Sequence, residues 1–183
     1  MDEIKVFCNY IRERSNEHRS AIIRITDLPA IIASILRQEL DSMVRVIYLL
    51  SIPDIEERKI LMRQTISGKK WTVDTKKGRQ REITDREMVE LSNQLQGWTR
   101  SVYKFGCAFI HLSNFHDYKS KNPFDFLDVT EKKDILSHMR NYHGGPSSDS
   151  PSFEELAIYF PMVFEKIKSN LECYLKELES INH

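Results

Sequence analysis

The chain has 183 residues, 40% of them hydrophobic and 30% charged, and its 27 lysines and arginines balance 27 aspartates and glutamates. That length suits a single well-cored domain over residues 1–183, and the composition excludes the low-hydrophobicity, high-net-charge signature of disorder. The charge balance excludes a global field toward nucleic acid or anionic lipid, so any such site must be local.

The N-terminal stretch MDEIKVFCNY places acids before its first apolar cluster and has no small-residue cleavage site, which argues against a signal or transit peptide. The apolar runs are far shorter than the roughly 20 residues of a membrane span. Three cysteines, Cys8, Cys107 and Cys173, are odd in number, far apart and set among apolar residues. They predict buried reduced thiols and a cytoplasmic location.

Periodicity predicts an all-α fold, a single bundle of five to six helices with one long central helix and a kinked C-terminal helix. A first helix carries Ile4, Phe7, Cys8 and Ile11 and runs into the polar stretch RERSNEH. A second starts at Asp27, read as its N-cap, with Pro29 in the first turn. Its stripe is Ile31, Ile32, Ile35, Leu36, Leu40, Met43, Val44 and Ile47, and it ends near Ser51 and Pro53. A third helix spans Asp54 to Ile66.

Residues 67–82, SGKKWTVDTKKGRQRE, hold six basic residues against two acids and little apolar periodicity, which predicts an exposed basic loop with room for a small hairpin. A solvated connector accounts for it. Trp71 among Lys69, Lys70, Lys76, Lys77, Arg79 and Arg81 also has the composition that stacks a base while neutralising phosphates.

At Thr84 the sequence TDRE matches a capping box, in which Glu87 reaches back to the cap. The stripe from Met88 through Leu91, Leu95, Trp98, Val102, Phe105 and Phe109 to Leu112 predicts a helix as far as about His116, with Gly97 and Gly106 marking a bend or a close helix contact. His111 and His116 lie five apart, a poor spacing for a shared metal, and no metal is expected.

NPFDFLDV, residues 122–129, reads as an ordered loop whose Phe124, Phe126 and Leu127 plug the bundle. Thr130 is read as the cap of a helix bearing Ile135, Leu136 and Met139. A Gly/Ser/Pro linker occupies 144–151. Ser152 and Glu155 form a second capping-box match, opening a terminal helix with Leu156, Phe160, Val163, Ile167, Leu171, Tyr174 and Leu178. Pro161 within it predicts a kink or a break into two helices.

The sequence has no glycine-rich phosphate loop, no paired-cysteine zinc pattern, no HExxH and no GxSxG. Histidine and arginine remain. In LSHMRNYHGGP, residues 136–146, Arg140 and His143 stand three apart at a helix end with Gly144 at the left-handed cap position. The helix dipole favours a protonated His143 and Arg140 opposes it, which leaves the direction of its pKa shift open. Such a pair can grip a phosphodiester and move a proton. Basic residues in a last turn before Gly-Gly are also an everyday helix stop.

An all-α bundle whose late helix carries Arg140, Asn141 and His143 resembles the HEPN superfamily of helical domains. That resemblance implies metal-independent endoribonucleases of toxin-antitoxin, CRISPR and phage-defence systems, which commonly work as dimers. RNYH has two residues between arginine and histidine where the family pattern has a longer spacer. Arg12 and His18, with five between, match that spacing in the first helix, at a frequency of roughly one such pair by chance.

Three functions are thereby expected. The first is a non-catalytic helical binding subunit of a multi-protein prokaryotic defence or toxin-antitoxin complex, with a larger subunit or a second copy as partner, no cofactor and no membrane contact. The second is a HEPN-like metal-independent endoribonuclease, with Arg140 on the scissile phosphate, His143 as general acid or base and Asn141 positioning the RNA backbone. The third is a nucleic-acid-binding module, for RNA or DNA, built on the 67–82 loop.

Overall fold

A computed structural model describes residues 3–75, 78–110 and 117–181. The fold is all-α, 74% helical, with one small two-stranded sheet. In chain order its elements are α1 (Glu3–Arg24), α2 (Pro29–Ser51), α3 (Ile55–Ile66), β1 (Thr72–Asp74), β2 (Gln80–Glu82), α4 (Asp85–Gln96), α5 (Thr99–Ile110), a 3-10 turn (Pro123–Phe126), α6 (Val129–His143), α7 (Phe153–Ala157) and α8 (Phe160–Ser180).

The helix at the centre of the bundle is α2, which contacts α1, α4, α5 and α8; the long helix was expected to start at Thr84 instead. It buries Ile32, Leu36, Leu40, Met43, Val44 and Ile47, while Ile31 of the predicted stripe is exposed. Its N-cap is Leu28, with no side-chain cap bond, in place of Asp27. The reason is Pro29: its ring disfavours helical backbone at the preceding residue, so the boundary falls at Leu28.

Over the described residues 84–110 the predicted stripe is two helices, and its end, from His111 to His116, lies outside the described residues. Thr84 accepts from the Glu87 backbone N–H as expected, but the Glu87 carboxylate turns away to Arg81. Gly97 then closes α4 in the left-handed conformation, φ +73°. Asn93 serves both sides of the break: its carbonyl accepts from Gly97 N–H, and its side chain accepts from Arg100 N–H in the first turn of α5. One orphan backbone group at each new end thus finds a partner. Gly106 is a close helix contact, since a Cβ there would lie 2.5 Å from Arg37 Cβ and 3.3 Å from the Ala33 carbonyl oxygen.

Asp128 caps α6, accepting from Glu131 N–H, in place of Thr130. Phe124 is fully buried and Leu127 packs on the core, but Phe126 is exposed. Ser152 and Glu155 form the full capping box of α7. The terminal segment then breaks after Ala157 and is bent by 36°. Pro161 explains the position, because its missing N–H and its ring both act on the carbonyl four residues back, which is that of Ala157.

Arg12 fastens α1 to α8 with two forked pairs, to Glu172 at 2.9 and 3.1 Å and to Glu179 at 2.7 and 2.9 Å. The three cysteines were expected to be buried, but only Cys8 is; Cys107 is half-buried and Cys173 exposed. Among the described residues no helix is long and apolar enough to cross a membrane.

Candidate functional site

LSHMRNYHGGP is the C-terminal end of α6. Gly144 takes the left-handed conformation and its N–H bonds to the Met139 carbonyl. The Arg140 guanidinium turns onto the segment that follows. Its Nε donates to Pro146 O at 2.8 Å, and its Nη2 donates to Ser147 O at 3.2 Å, Ser148 O at 2.8 Å and Asp149 Oδ1 at 2.8 Å. Planar, forked donors suit that task. Asn141 is exposed, its amide 3.5 Å from Ser137 Oγ.

His143 faces another way, into the mouth of a cavity of about 90 Å³. The interior is apolar: Ala33 and Leu36 of α2, Val102, Phe105 and Gly106 of α5, Ile135 and Met139 of α6, Leu156 of α7, and Phe160 and Val163 of α8. Polar groups line it as well, namely His138, Tyr142 and His143 of α6, Lys166 of α8 and Ser101 of α5, beside the Trp98 indole. His138 Nδ1 donates to the Asp134 carbonyl at 2.7 Å, and its ring stacks on Tyr142, centroids 6.2 Å apart and planes 12° apart. Lys166 Nζ lies 5.4 Å from the Tyr142 ring centroid on the other side of this rim, a cation–π distance.

The direction left open by the sequence is resolved by packing. Burial lowers the His143 pKa, and the nearby Lys166 charge lowers it further. Both favour the neutral imidazole, and the opposing cation is Lys166 of α8, not Arg140. Of the residues expected to form one catalytic group, then, Arg140 is engaged with the 146–149 segment and His143 with the cavity. The spacing of His138 and Tyr142, four apart on α6, could have flagged that pair. Lys166 could not have been found, because only the packing of α8 against α6 brings it there.

The basic stretch carries the small hairpin that its reading as a loop left room for, with Thr72 opposite Glu82, Val73 opposite Arg81 and Asp74 opposite Gln80. Trp71 is not presented to solvent: it is 2% exposed. Its Nε1–H donates to Thr65 Oγ1 at 2.7 Å, and its ring packs between Tyr48 and the Arg45 guanidinium. A large indole with a hydrogen-bonded N–H is a core residue by chemistry, and α2 and α3 supply the partners. Lys70 pairs with Glu82 and Arg81 with Glu87. Lys69 and Arg79 are exposed, and Lys76 and Lys77 lie outside the described residues.

The literal arginine–histidine match of α1 is also occupied. Arg12 holds α8, and His18 Nδ1 lies 2.7 Å from Oε2 of Glu39, a fully buried carboxylate that also accepts from Ser15. His111 and His116 lie outside the described residues; among those described no group of three metal-ligating side chains converges. No family model, no curated protein and no solved structure matches this chain.

Proposed function

We propose that the chain is a non-catalytic helical binding subunit of a larger protein complex. The observation that carries this reading is the fate of Arg140, whose donors are spent on three carbonyls and a carboxylate of its own chain. A catalytic arginine needs those donors free for phosphate. The burial of Trp71 supports the same reading, because an indole 2% exposed offers no face to a base. Placement in a prokaryotic defence or toxin-antitoxin complex rests on the HEPN-like resemblance alone.

The test is size-exclusion chromatography of the tagged protein expressed at native level in its own host. Elution in a complex of fixed stoichiometry, with the chain inert toward RNA, is the expected result. Elution as a lone 21.6 kDa species that cleaves RNA would sink the reading.

One observation favours the endoribonuclease reading as the second. His143 and Lys166 set a neutral imidazole beside a cation at the mouth of a cavity, the two elements needed for proton transfer at a phosphodiester. In that case Lys166, and not Arg140, holds the phosphate, and Lys166→Met abolishes cleavage while Arg140→Lys leaves it.

A further inference from the structure

The cavity has two unlike parts, and together they describe a ligand. Its surface is almost wholly apolar, with Phe105, Met139, Phe160 and Val163 among its lining residues and Ser101 as a minor polar contribution, so a group placed there must be apolar. A dry apolar cavity on the order of 150 Å³ holds a benzene ring, so about 90 Å³ suits a shorter or slimmer group, a short aliphatic chain.

The mouth offers charge. Among the described residues Lys166 Nζ has no carboxylate partner within ion-pair distance, and the Tyr142 ring is its one close contact of that kind. Its neighbours on both sides of α8 are otherwise engaged, Glu165 with Arg19 and Lys168 with Asn16. His143 adds a ring N–H on the same rim. A cationic ligand would meet like charge there, and a purely apolar one would leave the ammonium unpaired. An anion meets both donors and stays at the solvent edge, where its desolvation cost is small.

We propose that this cavity binds a small amphipathic carboxylate of the short-chain fatty-acid class, with its aliphatic tail among Phe105, Met139, Phe160 and Val163 and its carboxylate on Lys166 and His143. The site goes beyond the subunit reading and does not depend on it. A missing protein partner leaves it intact, whereas the results below can sink it alone.

The experiment is a titration of the full chain, with methyl groups of Met139 and Val163 observed by NMR, using pentanoate and its neutral isostere pentanamide. Pentanoate is expected to shift both methyls saturably and to bind about tenfold more tightly than the amide. Lys166→Met, which keeps the aliphatic stem, should bring the two affinities together, and Val163→Phe, which fills the interior, should abolish both. Equal affinities in the wild-type protein would overturn the proposal, as would the failure of either ligand to saturate or an unchanged preference in folded Lys166→Met. Should Lys166→Met not fold, the wild-type preference decides by itself, a ratio near one overturning the site.

Discussion

At His143 and Arg140 the same short stretch of chain serves two different neighbours, and each makes a prediction. His143 is a base whose pKa is lowered in the folded state by burial and then by Lys166. Between that lowered value and the ordinary histidine value the unfolded chain binds the extra proton, so stability rises with pH across this window. Above the ordinary value the residue costs nothing; below both values the folded state bears the full penalty. Wild-type protein should therefore lose stability faster than His143→Gln as pH falls from about 7.5 to about 5, measured as urea midpoints of the two proteins. Parallel profiles would mean that the imidazole is not held in its neutral form.

Arg140 predicts a mechanical effect instead. Replacing it with alanine strands three carbonyls of residues 146–148 and the Asp149 carboxylate. A loss of about 0.5–1.5 kcal/mol is expected by denaturant unfolding, the net worth of ordinary hydrogen bonds, since only the bond to Pro146 O is partly buried and the others compete with water. Arg140→Lys should recover little, because one ammonium cannot span the fork. A loss below about 0.5 kcal/mol, the level of an ordinary surface change, would show that the clip contributes nothing to the fold.

Among the elements, Gly97 and Gly106 carry the shape of the α4–α5 region for opposite reasons. At Gly97 the backbone is left-handed and the nearest atom to a built Cβ is His138 Nε2 at 4.0 Å, so the constraint is conformational. Gly97→Ala should cost about 1–2 kcal/mol and Gly97→Asn less, because asparagine tolerates this region. At Gly106 the backbone is ordinary helix, and the constraint is the approach of Arg37. Gly106→Ala should cost about 1–3 kcal/mol and Gly106→Asn more. A reversed order at either position, read from thermal unfolding, would contradict these assignments. For the hairpin, Trp71→Ala should destabilise by about 3–5 kcal/mol, as expected for a buried aromatic.

What the sequence made legible at this scale was periodicity and caps. The stripes of α1, α2 and α8 and the Ser152 capping box are local patterns, and they fall in helices where expected, Ile31 at the start of α2 excepted. Two features depended on distant packing and were not legible, and a third, the α4–α5 break, was legible only through Gly97, read as marking a bend or a close contact. Trp71 is surrounded in sequence by cations, yet Tyr48, Arg45 and Thr65 bury it. The α4–α5 break falls inside an unbroken apolar stripe, where only a glycine signals it. Lys166 reaches His143 from a helix that a linker separates from α6. The candidate cavity was therefore half visible, through His143, and half not.

For the whole molecule, the core joins α1, α2, α3, α4, α5, α6, α7 and α8 in one hydrophobic cluster, with the forked Arg12 pairs tying the N-terminal helix to the C-terminal one. Such a scaffold lines the cavity with residues of α2, α5, α6, α7 and α8. A pocket built on packed helices is suited to recognition, which loses least when little has to be ordered on binding. The arginine of the α6 terminus is meanwhile bonded to the 146–149 segment. The most direct test of the central claim, a binding subunit rather than a nuclease, is incubation of purified wild-type protein and folded His143→Ala with mixed RNA in EDTA, followed by electrophoresis. No cleavage by either protein is the predicted result; cleavage by the wild type that is lost in His143→Ala would contradict it.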